Sequence, residues 1–217
     1  MLRAFAKHRG SGWPLVMHVV SLGGGDLLVH SPAWINDETL AEVRALGTPR
    51  ILFAPNHFHH LDLQRYRELF PEAVAVASAG ALPRLRARGH EGLRSTDDVE
   101  LPSGMRWLVP DGTKSGEAWL SIDGDGGPTW LVCDAFFNAP SLRGFEGVML
   151  RMSKAGAGLS IGVTYTALCI RDKSRYREDV LEALAREQPR RVLFSHGDPL
   201  ETDAATALAG IIARRLS

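Results

Sequence analysis

The chain has 217 residues, 45% of them hydrophobic and 23% charged, enough to bury a sizeable core as one domain over 1–217. Lys+Arg and Asp+Glu stand at 25 each, so no global field draws in nucleic acid or an anionic membrane surface, and neither is expected as a partner. Cys133 and Cys169 sit in apolar runs where a thiol packs as a small hydrophobe, and the opening "MLRAFAKHRGSGW" lacks the apolar segment of a secretory signal. With no apolar run long enough for a helical membrane span, the expectation is a soluble, cytoplasmic protein.

In chain order, "LVMHVVSL" (15–22) and "DLLVHS" (26–31) are β-rich runs on either side of "GGG", which suits a hairpin because glycine tolerates positive φ. "NDETLAEVRAL" (36–46) opens on a cap-type residue with acidic groups behind it and spaces Leu40, Val43 and Leu46 as a helix does. It stops at Gly47. "RILFAP" (50–55) reads as a buried strand, "LDLQRYRELF" (61–70) as a helix, "AVAVAS" (73–78) as a strand and "GALPRLRARG" (80–89) as a short helix with Pro83 in its first turn. Strand, helix and strand in that order imply a βαβ unit and a largely parallel, buried sheet.

From 99 to 134 the texture turns to β-runs without helices: "GMRWLVP", "EAWLSID" and "PTWLVCD", the last two joined by "GDGG". The aspartates there lack the spacing and closing glutamate of a calcium loop, so a tight hairpin turn is expected. "SRYREDVLEALARE" (174–187) is an amphipathic helix, "RRVLFS" (190–195) a buried strand and "DAATALAGIIARRL" (203–216) a closing helix. Arg84, Arg86 and Arg88 read as a solvated helix face.

Three apolar strands end abruptly in polar clusters: "ILFAP" in "NHFHHLD", "TWLVC" in "DAFFN" and "RVLFS" in "HGDP". In sheets flanked by helices, sites form beyond the carboxyl ends of strands, so the three endings are candidates to converge. Imidazole and carboxylate are the donors that borderline and harder divalent metals take. His57 and His59 are two apart and project to one side of extended backbone, while His60 faces away. Asp62 can bend back toward the same point, or serve the amino terminus of the helix that follows it. Asp134, otherwise a strand-end turn residue, and His196, otherwise a satisfied histidine at the tight turn before Gly197, complete the set of expected metal ligands: His57, His59, Asp62, Asp134 and His196. Ser195 beside His196 is not read as a nucleophile, because adjacent residues do not present hydroxyl and imidazole in attack geometry and no glycine-flanked elbow occurs.

With "DLLVHSP", "APNHFHHLDL", "FPEAVAVAS", "WLVCDAFFN" and "LFSHGD" in this order, the chain resembles the metallo-β-lactamase superfamily, and more narrowly a bacterial branch of it known as a domain of unknown function. The resemblance implies an α/β fold, an αββα sandwich of two mixed β-sheets flanked by helices, with a metal site at one edge. The superfamily signature His-x-His-x-Asp-His places its first two histidines on His57 and His59, its aspartate on Leu61 and its last histidine on Asp62. Its central histidine falls in "VPDGTKSGE", which offers only Asp111; its bridging aspartate is Asp134 and its final histidine is His196. Leu61 can neither ligate a metal nor accept a proton.

The resemblance, with these departures from the signature, implies a metal-dependent hydrolase-like protein with an altered, single-metal site. It would act on an ester, thioester, amide or phosphoester of a small-molecule substrate, with Asp62 as a ligand or as the group that orients the water. Zinc is the expected ion, with iron and manganese as alternatives because of the added oxygen donors. The alternative reading is a catalytically weakened member that binds a small molecule or a partner without metal turnover. Segment 136–160 is expected to overhang the site, with Phe136, Phe137 and Phe145 either lining an apolar pocket or packing in the core.

Overall fold

In a computed structural model, residues 1–7, 15–33, 36–114, 116–139 and 158–216 are described. The strands are β1 (Leu2–Lys7), β2 (Leu15–Gly23), β3 (Asp26–His30), β4 (Thr48–Phe53), β5 (Val74–Ala77), β6 (Arg94–Ser95), β7 (Met105–Leu108), β8 (Trp119–Ile122), β9 (Thr129–Val132), β10 (Phe137–Ala139), β11 (Gly158–Ser160) and β12 (Arg191–Phe194). The helices are α1 (Asp37–Leu46), α2 (Leu63–Leu69), α3 (Leu82–Arg86), α4 (Val163–Leu168), α5 (Lys173–Glu187) and α6 (Ala204–Arg215). One sheet runs β1-β2-β3-β4-β5-β6, a second β12-β9-β8-β7, and β10 pairs with β11. Both large sheets are mixed: β3 through β6 and the pair β12/β9 are parallel, the rest antiparallel.

The layering follows from the two-residue alternation of strands. In the first sheet Leu27, Val29, Leu52, Ala75 and Ala77 face α1, α2 and α3, where Leu40, Val43, Leu63, Tyr66 and Leu85 are buried. Their neighbours Leu28, Ile51, Phe53 and Val76 face the other way, against Leu120, Leu131 and Leu193 of the second sheet. The second sheet then turns Trp119, Trp130, Val132, Val192 and Phe194 outward onto Tyr176, Val180 and Leu184 of α5 and Leu208, Ile211 and Ile212 of α6. The result is the expected helix–sheet–sheet–helix sandwich.

Several local readings hold in detail. The β2/β3 hairpin turns through Gly23, Gly24 and Gly25, all at positive φ. Asn36 caps α1 by accepting from the Thr39 N–H at 2.9 Å. The "GDGG" stretch joins antiparallel β8 and β9. Sequence patterning missed β1, which extends the first sheet by pairing with β2, and the short pieces β10, β11 and α4. Residues 61 and 62 are turn rather than helix, and α2 begins at Leu63. Phe136 packs in the second sheet's core and Phe137 is buried, and Phe145 lies outside the described residues. Among the described residues no helix is long and apolar enough to cross a membrane.

Candidate metal centre

The sandwich is open at the edge where β3, β4, β9 and β12 end. The two sheets are tied there by the Val16 N–H, which donates to the Ser195 carbonyl at 2.9 Å, and by a bridge between Leu15 and His196. Asp134 leaves the end of β9 and His196 the end of β12, parallel neighbours, so their side chains emerge side by side. His59 arrives from the loop after β4. His59 Nε2 lies 3.1 Å and His196 Nε2 3.3 Å from the same Asp134 Oδ1. One ligand atom from each of the three falls within 4.8 Å of the others.

Asn56, which the metal-ligand pattern did not single out, organises this loop. Its Oδ1 accepts from the Phe58 N–H at 2.8 Å and the His59 N–H at 3.2 Å, an Asx-type turn that shapes residues 57–62. Its Nδ2 donates to Asp134 Oδ2 at 2.8 Å and to Glu117 Oε2 at 3.3 Å. Fully buried Glu117 also accepts from Trp119 Nε1 at 2.8 Å and the Ala135 N–H at 3.0 Å, which fixes the turn after Asp134. Burial, and then the Asp134 charge, raise the Glu117 carboxyl above the usual carboxylate range. Burial works against ionisation of Asp134 too, but the imidazoles of His59 and His196 outweigh it and hold that carboxyl well below its ordinary value.

Because residues 57–62 form a turn, the extended-strand spacing that grouped His57 with His59 does not apply. The His57 ring lies against Phe58, centroids 3.9 Å apart, its carbonyl accepts from Arg88 Nη1 at 2.7 Å, and it stands outside the three-residue group. His60 turns away as expected: its Nδ1 is 2.8 Å from His90 Nε2 and its Nε2 2.9 Å from Arg88 Nη1. Burial, His90 and Arg88 together bring His60 down to about 4. Asp62 precedes α2 without capping it through its side chain and is likewise outside the group. Asp111 is engaged elsewhere, 3.0 Å from Arg175 Nε on the surface. Asp62 does line a cleft of about 200 Å³ with His59, His196, Leu15, Pro32, Phe58 and Leu61. Leu61, 63% exposed, stands at its mouth.

Two imidazole nitrogens and one carboxylate oxygen, Asp134 and His196 from neighbouring strand ends and His59 from the loop after β4, match the donor set of a mononuclear divalent site with open coordination positions. Compared with solved structures, the chain superposes on the DIM-1 metallo-β-lactamase with a TM-score of 0.67 at 11% identity, covering 98% of this chain and 93% of that one. The chain has the metallo-β-lactamase fold. It also matches the FIM-1 metallo-β-lactamase from Pseudomonas aeruginosa in its mono-zinc form, with a TM-score of 0.62, 13% identity and coverage of 99% and 91%. A fragment of a diflavin flavoprotein from a Nostoc species gives 0.62 at 14% identity, with coverage of 98% and 90%. No family model matches the sequence, and a search of curated proteins finds no relative.

Proposed function

We propose that the chain is a metal-dependent hydrolase with a single divalent ion, zinc, held by His59, Asp134 and His196. The observation that carries this is the convergence of three ligand atoms within 4.8 Å at the edge of a metallo-β-lactamase fold. The mono-zinc neighbour supports a one-ion arrangement on this fold. When bound, the ion supplies Lewis acidity and a nucleophile at neutral pH. The protein supplies the rest. Asn56 holds Asp134 Oδ2, so that Oδ1 stays turned toward the two imidazoles. Asp62, the one carboxylate among the described residues lining the cleft, takes the proton from the attacking water.

The cleft wall narrows the small-molecule substrate. Leu15, Pro32, Phe58 and Leu61 are apolar, and no lysine or arginine is among the described lining residues. An uncharged acyl ester, thioester or amide therefore fits better than a phosphoester, whose charge would have the proposed ion as its one cationic partner among the described lining and would be repelled by Asp62. Metal analysis of protein purified without chelators should find zinc near one per chain, and acyl 4-nitrophenyl esters should be cleaved in preference to 4-nitrophenyl phosphate. Protein free of metal from such a preparation would overturn the reading, and iron in place of zinc would redirect it to redox chemistry.

A second reading, a weakened member that only binds its ligand, is favoured by Leu61 at the cleft mouth, where the superfamily signature has aspartate. Leu61→Asp tests what this second reading leaves. A large gain in esterase activity indicates a decayed enzyme, whereas no gain, with ligand-induced thermal stabilisation, indicates a binding protein.

A further inference from the structure

Ser31 is one of three non-glycine residues at positive φ among the described residues, at +55°. The other two are Gln188, which finishes α5 as left-handed residues commonly do, and Asp203, an aspartate before α6, a residue type that tolerates positive φ. Ser31 closes a strand instead, is fully buried, and precedes Pro32, whose ring ordinarily keeps the residue before it extended. A strained conformation of this kind persists only where its surroundings over-determine it.

Those surroundings lead to the candidate metal centre. The Ser31 N–H donates to the Phe53 carbonyl at 2.9 Å, at the last residue of β4. Its hydroxyl lies 2.7 Å from His59 Nδ1. Ser31 thus touches both ends of the loop 54–59 that delivers the histidine. An imidazole ligates through one nitrogen's lone pair, and His59 Nε2 is the nitrogen that faces Asp134 and the proposed ion. The proton must then sit on Nδ1, where Ser31 Oγ accepts it.

We propose that Ser31 is a positioning residue for the metal centre: its left-handed backbone aims the hydroxyl at His59 and so fixes that ring's tautomer and rotation. The inference rests on the reading of His59, Asp134 and His196 as ligands. The strain at Ser31 is the local cost of placing an acceptor behind a ligand in a buried crevice.

Cobalt(II) titration of the metal-free protein tests this, alongside urea unfolding of the metal-free wild type, Ser31→Gly and Ser31→Thr. Glycine adopts positive φ freely but removes the hydroxyl. In Ser31→Gly, relief of the backbone strain offsets the loss of the buried His59 acceptor, so the variant should unfold close to the wild-type urea midpoint while its cobalt affinity falls about 10- to 100-fold. Threonine keeps the hydroxyl on a side chain that resists this φ. Ser31→Thr should unfold more readily yet bind cobalt within about threefold of wild type, well inside the loss expected when such a partner is removed. Ser31→Gly binding cobalt as tightly as wild type would overturn the role of Ser31 and leave the metal centre standing. Stability and affinity falling together in both variants would also overturn it, by reducing Ser31 to a structural part. Wild-type protein that binds no cobalt would remove the metal centre and this inference with it.

Discussion

Asn56→Leu is the sharpest probe of how the site is held together. Leucine matches the shape of asparagine closely enough to leave little void, so the variant reads out the polar contacts alone. It removes a 2.8 Å hydrogen bond to the ionised Asp134, worth about 2 kcal/mol, and a longer 3.3 Å bond to Glu117, worth about 0.5 to 1 kcal/mol. It also leaves the Phe58 and His59 N–H groups without their acceptor, at roughly 0.5 to 1 kcal/mol each. The expected loss is about 4 kcal/mol, or a fall in Tm of about 10 °C for a chain of this size. Urea unfolding of the metal-free protein measures it, and the m-value should not change. Cobalt affinity should fall as well, because the His59 backbone and Asp134 Oδ2 lose their shared anchor. A loss below about 1 kcal/mol with unchanged cobalt affinity would show that Asn56 does not organise the loop.

Three further outcomes are expected. His196→Ala and Asp134→Ala should each abolish stoichiometric metal binding, whereas His57→Ala should retain it, as read by metal analysis after dialysis; loss of metal in His57→Ala would restore that residue as a ligand. Burial lowers His18 from 6.5 to about 4, so the unfolded chain takes up a proton that the folded one refuses. Stability is then full above pH 6.5 and is lost as pH falls toward 4, by about 3 kcal/mol from this group, and His18→Phe should flatten that part of the urea midpoint's pH profile. Gly197 sits at φ +101°, and a Cβ there would overlap the Asn138 backbone. Gly197→Ala should therefore cost about 2 to 4 kcal/mol and weaken cobalt binding by displacing His196; an unchanged melting temperature would refute this.

The fold was largely legible because each layer leaves a periodic mark. Leu27, Leu28 and Val29 alternate between two cores, which reads as a continuous apolar run, and Leu40 and Val43 mark one face of α1. The elements that escaped notice lack such a mark. β1 is an edge strand paired on one side only, and β10 and β11 have three residues each, too few to show a period. Strand endings were equally legible, since an apolar run that stops at a polar cluster is visible whatever the cluster does. This is why Asp134 and His196 could be picked out from "LVCD" and "LFSHGD" and are found facing one another.

The histidine loop was harder to read because its geometry is set by contacts that sequence spacing does not encode. Two-residue alternation assumes extended backbone, but Asn56, past the end of β4, accepts from two N–H groups ahead of it, which curls residues 57–62 into a turn. In a turn, His57 and His59 part. His57 goes to Phe58, while His59 is pinned from behind by Ser31 and from the front by Asp134. An asparagine directly after a proline, just past the end of an apolar run, was the available signal for this turn. No comparable signal marks Ser31 or Glu117: one is identified by a backbone angle, the other by burial among Trp119, Ala135 and Asn56. The residues that would hold an ion are chosen by chemistry and can be guessed from type. The residues that aim them are chosen by shape, and they emerge only when the strand ends are brought together.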